Sequence, residues 1–504
     1  MAFVRTVKTK SGATAVQIVY SNRGGARRIE HIGSGHDEQE VAALKAAAAA
    51  RLSQGQQQLD LGIAAVDGAG PLPITSSRMA VLVDALLRIY DELGFTEKTY
   101  GDNVFRDLVL ARIIEPTSKL DSLRVLDEAG VNAPSYATVT RHLRMFAEPR
   151  WQRELSRACA EHARLGPATL CLYDVTTLYF ETDKADGFRE PGFSKERRLE
   201  PQITVGLLTD VSGFPLMMEA FEGNRAETLT MMPTLTAFMT AHKLTDVTVV
   251  ADAGMISTDN MKAIEDADLT FILGEKIPTV PYLISKWHKD NPGSTPPDGL
   301  TLTQRKPANS KTSYRRDRVV YYRYSADRAR RSLRGITEQL ERAEKAVAGK
   351  IPVKRNRFVT LTGADKSVNT ALAKKAKTLA GWKAYATNID SPTPDFVIGS
   401  YHQLWRIEKS FRMSKSDLAA RPIFHHLEGS IRAHLTIVFA ALAITRIVEA
   451  RTGWSIKKFV TNARRYRTIE IQAAGQTVTA ADPLPDDLAQ ALRDLAPDVD
   501  TNLS

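Results

Sequence analysis

Over the first 75 residues the apolar and polar positions alternate in short runs that predict strands. Phe3 to Lys8 and Thr14 to Tyr20 are rich in β-branched residues, with Ser11-Gly12 as a turn between them. Arg23-Gly24-Gly25 makes a second turn before Arg28 to Ile32. Asp37 is placed to cap a helix with Glu38 and Glu40 in its first turn and an Ala-rich body to Leu52. Gln54 to Gln58 and Gly68 to Pro73 read as linker. From Arg78 to about Leu165 the period is helical: Met79, Leu82, Leu86 and Tyr90 recur at three and four residues, and Asn103 to Ile114 makes another helix, ended by Pro116. Leu120 to Ala129, the turn Gly130 to Pro134, and Ser135 to Phe146 give helix, turn, helix, with Ser135 as N-cap. Two readings stand: a hairpin of a plain helical bundle, or a DNA-reading helix-turn-helix whose second helix opens with Tyr136, Thr138 and Arg141.

From Ala168 the period changes to that of strands. Thr169 to Tyr173, Gln202 to Leu208 and Pro215 to Phe221 are compact apolar runs, the last two joined by Asp210-Val211-Ser212-Gly213. Leu229 to Met239 is helical, Val247 to Ala251 a buried strand, Met261 to Asp266 a helix and Thr270 to Leu273 a strand. Three strands followed by helix, strand, helix, strand is an α/β layer pattern. A stretch from about residue 275 to 380, rich in Pro and Lys/Arg, interrupts it. The pattern resumes with Ala384 to Ile389 and the helices Tyr401 to Asp417 and Leu427 to Arg451. After about Gly475 the chain turns polar and acidic and reads as a poorly ordered tail.

Composition narrows the class. Of 504 residues, 43% are apolar, enough for a large core, which excludes disorder of the whole chain. Cys159 and Cys171 are the only cysteines, which excludes a disulfide scaffold and a four-cysteine zinc site. No basic-apolar signal peptide opens the chain. The longest helical apolar run, Leu435 to Thr445, falls short of the roughly 20 residues a bilayer requires. The expectation is a soluble, cytoplasmic protein with no membrane association. The formal charge is +10, and six Asp against one Arg after residue 480 leave an excess of +15 on the rest. Such an excess points mildly to nucleic acid. Between Arg305 and Arg334, eleven Lys/Arg face two Asp, with Tyr314, Tyr321, Tyr322 and Tyr324 among them. That mixture suits a phosphate-binding surface, and equally an exposed strand and helix with snorkelling Arg.

Three carboxylates stand out. Asp174 follows the strand Leu170 to Tyr173, and Asp252 leaves the strand Val247 to Ala251 at its C-terminal end, where an α/β sheet places its sites. Taken singly, each is equally a cap or turn Asp. Glu408 lies in the run Tyr401 to Lys415. Tyr401, Glu408 and Lys415 are seven apart and fall on one helical stripe with Trp405 and Arg412 beside them. The stripe is a poor hydrophobic seam and a reasonable wall for a charged cleft, or else a solvated face. Together, two strand-borne Asp and a helix-borne Glu can hold two Mg2+ through oxygen ligands, the arrangement for in-line displacement at phosphate. His or Cys would select softer metals.

At this point the sequence resembles the DDE transposases of bacterial insertion sequences, in the branch whose third carboxylate sits in a Tyr-x2-Arg-x3-Glu-x6-Lys signature. The likeness is carried by Leu172 to Thr177, Gly192-Phe193-Ser194-Lys195-Glu196, Phe221-Glu222-Gly223-Asn224, Val249 to Gly254, and Tyr401 to Lys415, in order across about 250 residues. The signature's Arg position falls on Leu404, with Arg406 and Arg412 near but not in place.

The resemblance implies an RNase H-like catalytic domain, a mixed sheet flanked by helices, with Asp174, Asp252 and Glu408 as catalytic acids and ligands of two Mg2+ (or Mn2+) ions. It implies that Tyr401, Lys415, Arg406 and Arg412 bind DNA. It places a basic insertion between the second Asp and the Glu, 156 residues apart here, in which Trp287 is either a base-stacking residue or a core Trp. The expected division is 1–75, small and β-rich with one helix; 76–166, helical and DNA-binding; 167–451, catalytic with the insertion at about 275–380; and 452–504, a C-terminal tail. The implied activity is metal-dependent cleavage at transposon ends and 3′-OH strand transfer into target DNA. The implied partners are double-stranded DNA, as terminal inverted repeats and target, and a second copy of the chain on paired ends, in the cytoplasm with the nucleoid. The alternatives are a sequence-specific DNA-binding protein and an RNase H-like nuclease without strand transfer.

Overall fold

The protein was studied as a computed structural model. It describes residues 2–8, 13–21, 27–35, 37–53, 72–166, 169–181, 184–192, 200–255, 258–308, 315–352, 356–362, 365–421, 423, 425–473 and 476–495. Of the expected linker segments, Gln54 to Gln58 and residues 68–71 lie outside them, as do Phe193 to Glu196 and Tyr314. Two compact units form, residues 1–73 with 472–478 and residues 74–471 with 479–504.

In the first unit β1 (Ala2–Lys8), β2 (Thr14–Ser21) and β3 (Arg27–Gly35) make an antiparallel meander. Helix α1 (Glu38–Ser53) packs on it. Asp37 accepts the Glu40 amide at 2.7 Å, as a cap does. The core is small, built on Val16, Ile18 and Ala48. Gly33 lets α1 approach, since a Cβ there would meet Leu44 Cδ2 at 2.6 Å.

The second unit opens with β4 (Ile74–Arg78) and the helices α2 (Ala80–Glu92), α3 (Phe95–Lys98), α4 (Asn103–Ile114), α5 (Asp121–Ala129), α6 (Tyr136–Phe146) and α7 (Pro149–His162). Ser135 caps α6 by accepting the Thr138 amide, and Gly130 takes the left-handed conformation (φ 77°) that ends α5. One face of α6 is buried through Val139, Leu143 and Phe146, while Tyr136, Thr140, Arg141 and Arg144 are exposed.

A mixed sheet of eight strands follows, flanked by helices. Its strands are β5 (Thr169–Tyr179), β6 (Gln202–Thr209), β7 (Pro215–Glu222), β8 (Val247–Ala251), β9 (Thr270–Glu275), β10 (Thr301–Lys306), β11 (Arg318–Tyr324) and β14 (Trp382–Thr387), in the order β10-β11-β14-β9-β8-β5-β6-β7. β5, β8 and β9 run parallel and every other neighbouring pair antiparallel. Helices α8 (Met231–His242) and α9 (Thr258–Asp266) are the crossovers between the parallel strands, as the period change predicted.

The basic stretch does not simply interrupt this sheet. Its strands β10 and β11 extend it, and Tyr321, Tyr322 and Tyr324 are buried at 3–5% exposure. The Lys/Arg-aromatic mixture there is a sheet strand with its rings inward, so those tyrosines are no stacking surface. Trp287, on α10 (Tyr282–Asp290), is half-buried and sits edge-on to His288. Beyond β11, α11 (Ala326–Val347), the hairpin β12 (Val359–Thr362) and β13 (Asp365–Val368), and α12 (Thr370–Thr378) enclose a separate small core around Ile336, Ala343 and Phe358.

The chain then runs through α13 (Pro394–His402), α14 (Leu404–Arg412), a π-helical turn (Met413–Asp417) and α15 (Glu428–Thr452). α15 is 25 residues long, within one residue of the expected span Leu427 to Arg451 at each end. By length and composition it passes for a membrane span, but 89% of its most apolar stretch is buried inside the protein. It packs on α2, α4, α6, α7 and β7, so the helices of 76–166 and the sheet share one core. After it come α16 (Ile456–Ala463), β15 (Thr468–Ala473), which pairs with β4 as far as Ile471, β16 (Gln476–Ala481) and α17 (Asp486–Leu495). α17 corrects the reading of an unstructured tail: Leu488, Ala491 and Leu495 are buried, and the helix packs on α15 and α2.

Candidate active site

Parallel pairing sets the first two acids side by side. Leu172 lies opposite Val250, so two residues further on Asp174 comes level with Asp252, the first residue past β8. Asp174 is half-buried beside the apolar residues of β5, and Asp252 is exposed where its strand ends. The alternation of β5 sends Tyr173 to the opposite face, where its hydroxyl donates to Thr230 Oγ1 at 3.1 Å. Gly206 makes room for that ring, since a Cβ there would lie 2.3 Å from Tyr173 Oη.

The third acid is on α14, which packs across β5 and β6. Leu404, Ile407 and Phe411 form its buried face, and Glu408 is exposed. Lys409 Nζ meets Glu449 of α15 at 2.6 Å, and Arg446 meets the same carboxylate at 3.2 Å, tying α14 to the core helix.

The helix expected from Tyr401 to Asp417 is broken. α13 ends at His402, α14 begins at Leu404, and the π turn starts at Met413. Tyr401 and Lys415 therefore lie on separate elements from Glu408, and the seven-residue stripe does not run straight through them. Tyr401 is buried and reaches back to the sheet, where its hydroxyl donates to Asp252 Oδ1. Lys415 is half-buried in the π turn. Arg412, four residues past Glu408, shares its face and is exposed. Arg406 is two residues before Glu408, about 200° around the helix. It donates to the Val211 carbonyl at 3.0 Å, on the β6–β7 turn, where Gly213 (φ +83°) lets the backbone of α14 approach.

Two residues that the sequence did not point to complete this corner. Lys383, on β14, donates to Tyr401 Oη at 2.9 Å and stands 4.2 Å from the centre of that ring. Burial lowers its pKa, against the pull of the Asp252 and Glu408 carboxylates. Burial, then the bond to Asp252, raises the pKa of Tyr401 and keeps its hydroxyl protonated. Gly274 on β9 provides the space, since a Cβ there would lie 2.8 Å from Tyr401 Oη. No local signal in the sequence marked Lys383 or Gly274, because only the antiparallel pairing of β14 with β9 brings them here.

The three candidate acids are carboxylates, hard oxygen donors of the kind Mg2+ or Mn2+ takes. Among the described residues, no three His, Cys, Asp or Glu side chains already converge as a ligand set. Asp174 and Asp252 come level on neighbouring strands, and Glu408 is not gathered with them into such a set. Chemically the residues fit a divalent ion.

No curated protein matches the chain. Among solved structures, a piggyBac transposase in a synaptic complex with hairpin DNA is 11% identical, with a TM-score of 0.40, covering 77% of this chain and 78% of that one. The family described as "Transposase DDE domain" matches residues 166–445, more than half of the 504 and all of the sheet and its flanking acids. The chain belongs to the DDE-domain transposase family.

Proposed function

We propose that the chain cuts DNA at the terminal inverted repeats of an insertion sequence and joins the freed 3′-OH to target DNA, with Asp174, Asp252 and Glu408 as the acids that hold two Mg2+ (or Mn2+) ions. The observation that carries this is the level placement of Asp174 and Asp252 on parallel strands, with the Glu408 helix packed over the first of them. The run β7-β6-β5-β8-β9, three antiparallel strands followed by two parallel ones, supports reading the sheet as an RNase H-like core, with the span 275–380 as an insertion in that reading.

A bound ion pair supplies activation of the attacking oxygen and stabilisation of the leaving one. The protein's own groups do the rest. Tyr401, held neutral, keeps a hydroxyl proton for Asp252 or for a phosphate oxygen. Lys383 offsets the negative charge of the corner while it stays free of cations. Arg412 and Lys415 face the backbone of bound DNA from the Glu408 side. Arg406, engaged with Val211, supports α14 and positions Glu408 through it. The exposed face of α6 reads the repeat, and two copies act on paired ends in the cytoplasm with the nucleoid.

The test is cleavage of a duplex carrying the repeats that flank the coding sequence, with and without Mg2+. Wild type cuts only with the metal. Glu408→Ala and Asp252→Asn keep their fold by circular dichroism and lose more than the roughly 10- to 100-fold typical of residues that merely orient ligands. Unchanged cleavage in either variant would overturn the assignment. A pre-cut end that fails to join target DNA would reduce the activity to that of a nuclease.

A further inference from the structure

Between the α4–α5 connection and the segment after the π turn lies a cavity of about 400 Å³, and its wall is cationic. Arg112 and Lys119 are each 5% exposed and His434 4%. Arg421 and His425 also line it, and no carboxylate among the described residues does. Arg112 donates to the Thr117 carbonyl at 2.8 Å. Lys119 Nζ has one hydrogen-bond partner among the described residues, His434 Nδ1 at 3.3 Å, and His434 Nε2 is satisfied by the Ala420 carbonyl at 3.3 Å. With Nε2 carrying the proton, Nδ1 accepts from the lysine, so two of the three ammonium donors are left over. The imidazole of His425 stacks obliquely at 5.7 Å on that of His434. Its pKa is pushed down to about 4, first by burial and then by the nearby Lys119 and Arg112 charges.

Burial holds the Lys119 pKa well below its usual range and lowers that of Arg112 to about 10, so an anion entering the cavity would stabilise the charged forms of both. The fork of an arginine, the ammonium of a lysine and the single N–H of a neutral His425 imidazole around one small cavity are a recognition set for a tetrahedral oxyanion. We propose that this cavity is a phosphate-binding site, with Arg112, Lys119 and His425 as its ligand-contacting groups.

The phosphate has two possible sources, the DNA backbone or free inorganic phosphate. The wall ties the cavity to the catalytic strand: the Arg421 guanidinium lies 5.2 Å above the ring of Tyr179, the last residue of β5, five residues beyond Asp174. At ~3.3 Å per residue that is roughly 16 Å along the strand, and one DNA strand rises ~3.4 Å per nucleotide. A backbone phosphate a few nucleotides from the reacting one falls in this range. That source rests on the reading of the chain as a DNA-processing transposase, whereas the site itself does not.

The experiment compares the full-length wild type with Lys119→Met in two arms. In the first, melting is followed with inorganic phosphate replacing chloride at matched ionic strength. Phosphate raises the wild-type melting temperature and not that of the variant. The metal-free, phosphate-free variant melts higher than wild type, because an uncompensated buried cation has been removed; a merely structural lysine would give the reverse. In the second, binding of the repeat duplex is measured against salt without divalent ions. The variant binds roughly 10- to 100-fold more weakly, and its slope of log affinity against log salt is smaller by about one.

A response in both arms assigns the backbone phosphate. A response to inorganic phosphate alone leaves the site standing with the free anion as its ligand. No response in either arm overturns it. Wild type that binds no DNA would remove the transposase reading and leave the first arm intact. If Lys119→Met does not fold, Arg112→Gln and His425→Gln carry the same readouts.

Discussion

At the residue scale the active corner depends on a missing side chain. Gly274 lies under the Tyr401 hydroxyl, and the ring passes over it to reach Asp252. Gly274→Ala puts a methyl 2.8 Å from that oxygen. It displaces the ring at a cost of about 1–3 kcal/mol, read as a lower urea midpoint together with slower repeat cleavage. Tyr401→Phe removes the hydroxyl and keeps the ring, so it leaves the urea midpoint nearly unchanged while slowing cleavage. Equal loss of stability in the two variants would show that the ring, not its oxygen, matters. The three candidate acids were legible as positions because each lies in or beside an apolar run, although Asp174 sits inside β5 rather than past its end, with Asp252 just past β8 and Glu408 on the exposed face of α14. Lys383 and Gly274 were not, because a lysine or glycine in a strand has many uses and only tertiary pairing selects this one.

At the scale of elements, the pattern read well in the sheet, where β6 and β8 are buried along their whole length, and failed at α17, which buries one face only. The crossover pattern of strands and helices after residue 168 follows the period change closely. The break at Gln403 was invisible because neither Pro nor Gly marks it. The start of α13 was missed as well, the helix having been expected from Tyr401, although Thr393 caps it by accepting the Phe396 amide and Pro394 takes the first helical position. Tyrosines of β11 looked exposed by their basic company, yet both faces of the strand are covered, so Tyr321, Tyr322 and Tyr324 are all buried and Arg318 is buried on Glu265. The acidic composition after residue 480 hid the three- and four-residue spacing of Leu488, Ala491 and Leu495, which seats α17. Helix α15 carries the heaviest share of packing. Phe439, 1% exposed at its centre, is predicted to cost about 3–5 kcal/mol when cut to Ala, measured by urea unfolding. A loss below about 1 kcal/mol would mean that the core closes over the gap.

At the scale of the whole molecule, half-buried histidines contribute to the response to acid. His242 lies against Phe238, with Nε2 3.0 Å from Ser156 Oγ, and burial, then the Arg157 charge, pushes its pKa down to about 4. His425 is held near the same value. Unfolded histidine titrates near 6.5, so between about pH 6.5 and 4 the unfolded chain binds protons that the folded one refuses. Stability from these groups is complete above pH 6.5 and is lost as the pH falls through that window. Melting temperature is therefore expected to drop from pH 7 to pH 5, and His242→Gln to flatten the drop. A wild-type curve flat over that range would refute it.

The placement of α15 limits how this protein can be shortened. The boundary near residue 166 invites the design of a minimal nuclease that keeps the sheet and discards the helices before it. Such a fragment would lose the cover that α2, α4, α6 and α7 lay over a 25-residue apolar rod. Stripped of it, the rod would behave as a hydrophobic anchor. Expressed in cells, the truncated enzyme should sediment with lipid or aggregate, while the intact chain stays in the supernatant.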